Sequence, residues 1–206
     1  MKKMKRSIIA AFFMLVTAGM GVHALGIDID LGGLYLNHHV HSTNTNTKVE
    51  PKNLGGANLG LAVNLFGNVS AYVTTMFSSN QSFFTKGFFA ESSKDAQIGL
   101  SYTFNRGGGL EFLLGAGFAI SNARFSQEAK KTVMTYTNIG GGANVSLAYM
   151  FTNFFGIYIA DIYNIYWPIS QKYVNVENGN EGETKITLKY TLTGSNAVVL
   201  GVKFRL

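Results

Sequence analysis

Eight stretches of the chain alternate bulky apolar side chains with small or polar ones at a period of two, the repeat of a strand whose two faces meet different surroundings. In the first, Ile27, Ile29, Leu31 and Tyr35 oppose Asp28, Asp30, Gly32 and Leu34. The second sets Ala57, Leu59, Leu61, Val63 and Leu65 against Asn58, Gly60, Ala62 and Asn64, and the third runs from Val69 to Phe77. The fourth opposes Ile98, Leu100, Tyr102 and Phe104 to Gln97, Gly99, Ser101 and Thr103. Leu110 to Ile120 and Asn138 to Phe151 supply the fifth and sixth, with Gly115, Gly117, Gly140, Gly142 and Asn144 on their small faces. The last places Val198, Leu200, Val202, Phe204 and Leu206 opposite Ala197, Val199, Gly201, Lys203 and Arg205. The seventh, Phe154 to Trp167, is apolar on both faces but for Asp161 and Asn164. A charge turned toward lipid is costly, so Asp161 is expected to face inward, with a bulge or register change nearby.

Connections alternate long and short. The long ones are Asn37–Gly56, Ser78–Asp95, Asn122–Thr135 and Pro168–Thr184; the short ones are Phe66–Asn68, Asn105–Gly109 and Thr152–Asn153. An up-and-down barrel in an outer membrane has such short periplasmic turns and longer external loops. An even strand number puts both termini in the periplasm. Strands of about eleven residues cross roughly 30 Å of hydrocarbon when tilted. A soluble carrier barrel would turn its apolar face to a cavity and stud the other with charge. Here the second face is Gly, Ala, Ser, Thr and Asn, which suits a confined lumen. Aromatic residues gather where two interfacial girdles belong: Phe66, Phe104, Phe112, Phe151, Phe155 and Phe204 below, and Tyr35, Phe77, Tyr163 and Trp167 above.

The start of the chain adds an address. Lys2, Lys3, Lys5 and Arg6 precede an apolar run from Ile8 to Val16, and Val22-His23-Ala24 fits a small-x-small cleavage site. Residues 1–24 are therefore expected to be a signal peptide and 25–206 one barrel domain. The full chain carries +6, with seventeen basic and eleven acidic residues. Without those four basic residues the excess is about +2, no footprint for nucleic acid. No cysteine is present, so neither lipid acylation nor a disulfide framework is available.

Eight strands enclose a space that side chains can just fill, which excludes a wide pore. The inward positions Asn58, Gly60, Gly99, Gly115, Gly117, Gly140, Gly142 and Asn144 are small or polar. They serve strand curvature and closure, or line a narrow cavity for a small solute. Asp28 and Asp30 begin the first strand while Lys203 and Arg205 end the last. Closure makes those strands neighbours, so an ionic cluster is expected across the seam at the periplasmic end, with Glu111 as a partner. It would pin register, or plug the floor.

Candidate chemistry elsewhere is sparse. His38, His39 and His41 follow the first strand in a loop beginning at Asn37, but no carboxylate or cysteine completes a metal site. Catalysis would have to draw on His41, Ser42 and Asp95, which no spacing brings together. Neither a metal, a cofactor nor an enzyme activity is expected. Phe83, Phe84, Phe88 and Phe89 in the second loop either fold over the barrel mouth or meet a ligand, membrane or partner.

The Gly-rich segments Leu113 to Phe118 and Ile139 to Asn144, with the terminal Leu200-Gly201-Val202-Lys203-Phe204, resemble small bacterial outer-membrane barrels of the OmpW/OprG type and, more loosely, the OmpX/OmpA membrane domain. That resemblance implies membrane lipid as surroundings, an assembly machinery that reads the terminal strand, and passage of small hydrophobic molecules. Leu206 stands where such barrels usually end in Phe, and the small, partly polar inward face departs from an apolar channel. The leading expectation is narrow passage or binding of small, hydrophobic solutes. The alternative is a surface adhesin or antigen whose barrel displays its loops.

Overall fold

The structure, a computed structural model, describes residues 26–42, 52–80, 91–127, 132–175, 181–182 and 191–206. The strands are β1 (Ile27–Ser42), β2 (Lys52–Phe66), β3 (Val69–Ser79), β4 (Ser92–Phe104), β5 (Leu110–Gln127), β6 (Thr132–Met150), β7 (Phe155–Asn175), β8 (Glu181–Gly182) and β9 (Thr191–Arg205). β8 is a two-residue piece on the tip of β7. The other eight pair antiparallel with their neighbours in sequence, and β9 lies between β7 and β1, so the sheet closes on itself.

The register fixes the geometry of closure. A path perpendicular to the strands runs Asp28, Ala62, Tyr72, Gly99, Gly117, Gly142, Asn164, Ser195 and returns to β1 at His38. The stagger of ten residues between Asp28 and His38 sets a strand tilt of about 35–45°.

Three tight connections share the end where β1 begins. Gly67-Asn68 takes Gly67 to φ +51°; Asn105 to Gly109 holds Asn105, Gly107 and Gly109 at positive φ; and residues 151–154 form the third. This is the turn end. At the opposite, loop end the strands run further than the apolar alternation does. β1 reaches Ser42 rather than stopping before Asn37, and β7 continues through Pro168 to Asn175. Between Thr137 and Asn138 the β6–β7 register shifts, and Pro168 sits at that irregularity, where its missing N–H breaks no ladder.

Side-chain alternation divides outside from inside. Phe118, Ile98, Leu100, Ile120, Leu200 and Ile159 are exposed on the outer face, a continuous apolar surface of the kind that meets lipid. Every girdle aromatic described at either end lies on this face too. Inside, β1, β2, β3, β7 and β9 contribute an apolar core of Leu34, Leu36, Leu54, Met76, Ile162 and Val199. The wall from β3 to β6 faces it with Thr74, Gln97, Ser101, Ser121 and Asn138, all buried.

Asp161 does not face inward. It is exposed on the outer face of β7, between Val145 on β6 and Val198 on β9. A one-residue slip that turned it inward would expel the whole inner row of β7. That row contains Tyr158, whose hydroxyl accepts from Asn58 Nδ2 at 3.1 Å, and Tyr166, which donates to Asp95 at 2.9 Å. These anchors hold the register and leave Asp161 outside. The irregularity at Pro168 lies too far up the strand to turn it.

Candidate functional site

The turn end of the lumen is charged. On β9, period-two alternation aims Lys203 and Arg205 inward; on β1 it does the same for Asp28 and Asp30. Strand pairing sets Asp28 opposite Arg205 and Asp30 opposite Lys203. Arg205 donates from Nε to Asp28 Oδ1 at 2.8 Å and from Nη2 to Oδ2 at 3.0 Å. Its Nη1 and Nη2 also reach Glu111 Oε1 and Oε2 at 2.7 and 2.8 Å. One guanidinium therefore holds two carboxylates bidentately, the strongest geometry such pairs adopt. Lys203 Nζ lies 3.1 Å from Asp30 Oδ1 and 3.8 Å from Asp28 Oδ2.

Arg106 was not foreseen. It projects from the turn after β4 so that Nη2 sits 3.3 Å from Asp28 Oδ1 while Nη1 donates to Ser70. Positive φ at Asn105 and Gly107 bends the turn under the barrel, and the Gly107 N–H donates to Glu111 at 2.6 Å. Its signal in the sequence was an arginine within a Gly-rich turn. Period two says nothing about where a turn residue reaches.

Above this floor the lumen is filled from its own walls. Inward Asn58, Gly60, Gly99, Gly115, Gly117, Gly140, Gly142 and Asn144 lie on the face where alternation places them; side chains from other strands stand over Gly60, Gly115 and Gly142, while Gly99, Gly117 and Gly140 lie against neighbouring backbone. A Cβ on Gly115 would meet the Tyr72 ring at 3.0 Å, and one on Gly142 would strike the Asn164 and Gln97 side chains. Gly32 similarly lies beneath the Tyr158 hydroxyl. Gly99 and Gly117 pair directly, and a Cβ on either would collide with the other strand's backbone. Among the described residues a cavity of about 30 Å³ persists near Asp30, Asn58, Tyr72, Asn144 and Tyr158, enough for about two water molecules.

Toward the loop end the lumen holds a second polar set. His38 lies in β1 and not in a loop, and its ring is fully buried. It meets Phe125 edge-on at 5.1 Å and stacks with Tyr166 at 6.3 Å. Asp95, expected at the end of a loop, is buried in β4, where Tyr166 and Ser93 both donate to it. His39 alternates to the outer side, where its ring covers Gly194. The side chains of His41 and Ser42, and all of Phe83, Phe84, Phe88 and Phe89, lie outside the described residues, as do residues 1–24. No group of three metal-ligating side chains converges among the described residues.

On the outer face, Asn196 Nδ2 donates to Asp161 Oδ1 at 2.9 Å, and Asn37 Nδ2 to Asn53 Oδ1 at 2.7 Å. Asn196 pairs with Asn37 across β9 and β1, and Asn37 with Asn53 across β1 and β2. A diagonal polar track thus descends the outer wall from the loop end to Asp161.

No protein-family model matches this sequence, and no curated protein does. Solved structures do. The chain is similar to OprG, an outer membrane protein of Pseudomonas aeruginosa, with TM-score 0.59 at 10% identity over 90% of this chain and 98% of that one. Neisserial surface protein A gives 0.56 at 10% identity, covering 87% and 97%. Ail, the attachment invasion locus protein of Yersinia pestis, gives 0.51 at 12% identity, covering 88% and 100%. The fold is that of the small, eight-stranded, all-antiparallel outer-membrane barrels.

Proposed function

We propose that the protein is an integral outer-membrane barrel whose closed body displays its long connections at the cell surface, as an adhesin or antigen that binds partners there. The observation that carries this reading is the interior: an ionic floor at the turn end, with cross-barrel tyrosines and an apolar core above it. Such a lumen favours display over solute passage, because a route along the axis would have to break the Arg205 pairs and displace Tyr72 and Tyr158. In this reading the turn end faces the periplasm, residues 1–24 are removed as a signal peptide, and the assembly machinery reads β9.

Reconstitution tests it. Vesicles containing the protein should take up a small apolar solute no faster than empty vesicles, and planar bilayers should show no steady conductance. Barrels trimmed at residues 43–51, 81–90, 128–131 and 176–190 should still insert and should lose the binding to cells or matrix that the whole protein shows. Accelerated uptake, or binding unchanged by trimming, would refute display.

A further inference from the structure

Asp161 is misplaced by the rules of a lipid-facing wall. The outer positions of β7 run Phe155, Ile157, Ile159, Asp161, Tyr163, Ile165 and Trp167, so the carboxylate lies six residues, roughly 20 Å of strand, from both Phe155 and Trp167 and one outer position on the turn side of the girdle residue Tyr163. It thus sits among lipid-facing side chains, just inside the upper aromatic girdle. Its bond from Asn196 uses one acceptor position of a group that offers about four. Among the described residues its paired outer neighbours, Val145 on β6 and Val198 on β9, are apolar and offer no second donor. The opposite wall differs: on β4 and β5 the outer positions from Ile98 to Phe104 and from Leu110 to Ile120 are apolar. Ionisable residues within a membrane generally face a partner or a cavity.

We propose that the outer face around Asp161 and Asn196 is where a second copy of this chain docks within the membrane. The donor and acceptor inventory of the patch fits a second copy. Asp161 only accepts, while Asn196 and the adjacent Tyr163 carry donors, so the patch is its own complement. A two-fold axis beside β7 and β9 sets each copy's acceptor against the other's donors, the isologous arrangement of most dimers. The polar track from Asn196 through Asn37 to Asn53 extends the contact toward the loop end.

The chain has no cysteine, so single introduced thiols report contact cleanly. Val198→Cys lies beside Asp161, and Ile98→Cys lies on the opposite wall; both positions are exposed to lipid. In phospholipid vesicles under mild oxidation, Val198→Cys should form a disulfide-linked dimer at least about ten-fold more than Ile98→Cys. Adding Asp161→Leu, or separately Asn196→Leu, should bring it down to the Ile98→Cys level. The heat-dependent electrophoretic shift of folded barrels verifies insertion of each variant, independently of any loop binding. Equal crosslinking at the two positions, or crosslinking at Val198→Cys that survives both leucine substitutions in folded protein, overturns the proposal.

Discussion

Arg205 connects two carboxylates that sit far apart in the sequence, and the cost of losing it follows from what would remain. Asp28 and Glu111 side chains are 4% and 2% exposed, so truncating the arginine removes both ion-pair bonds of Glu111 and takes from Asp28 one of its three cations, leaving it Arg106 and Lys203. Breaking a buried pair this way costs about 3–5 kcal/mol. Arg205→Ala should therefore lower the unfolding free energy of the refolded barrel, read from urea titration, by about that much. Arg205→Lys should recover only part of the loss, since a lysine keeps the charge without the planar fork. Asp161 carries the opposite expectation. In micelles dilute enough to keep the chain monomeric, Asp161→Leu should stabilise the barrel by less than the about 2–4 kcal/mol that a basic residue costs at midplane. The seam charges were legible because closure of an up-and-down barrel must pair the first strand with the last. Asp161 was not, because both faces of β7 are apolar and hydrogen bonds from inward tyrosines decided the register.

Alternation marked each barrel strand but not its length. A lipid boundary ends the need for apolar side chains, whereas the backbone ladder continues as long as both strands have residues to pair. Hence β1 carries His38 into the lumen beyond its last outward apolar residue, and β5, β6 and β7 extend to 18, 19 and 21 residues. Alternation sets which face each glycine takes, but the side chains over Gly115 and Gly142 come from other strands, which no local pattern encodes. Gly99 and Gly117 instead face each other across β4 and β5, where a Cβ on either would strike the other strand's backbone. Gly117→Val would drive a branched side chain into the backbone of β4. It should cost at least the about 1–3 kcal/mol of ordinary overpacking, or prevent folding, as read by the electrophoretic shift and urea midpoint. Gly33→Val, on the outer face where a Cβ meets nothing within 4 Å, should be nearly neutral.

The whole molecule is a barrel with an ionic base, a filled waist and a polar upper lumen, and its closure to ions rests on more than one layer. Lys203→Ala with Arg205→Ala should destabilise it and still leave planar bilayers without conductance, since Tyr72 and Tyr158 remain across the waist. Adding Tyr72→Ala and Tyr158→Ala should produce measurable single-channel steps. Conductance after the first pair alone would show that the floor is the seal.

The seam also constrains the order of events in assembly. Its acidic half is on the first barrel strand and its basic half on the last, so the two charges are complete on separate edges before they ever meet. An unclosed sheet therefore carries an attraction between its ends, which draws them together over a chain of nearly the whole length. Salt shortens the reach of that attraction to about 3 Å at 1 M, but it hardly touches the pairs once buried. Refolding into vesicles should thus slow as ionic strength rises while the unfolding rate stays nearly constant, a kinetic asymmetry that stopped-flow fluorescence of Trp167 would resolve.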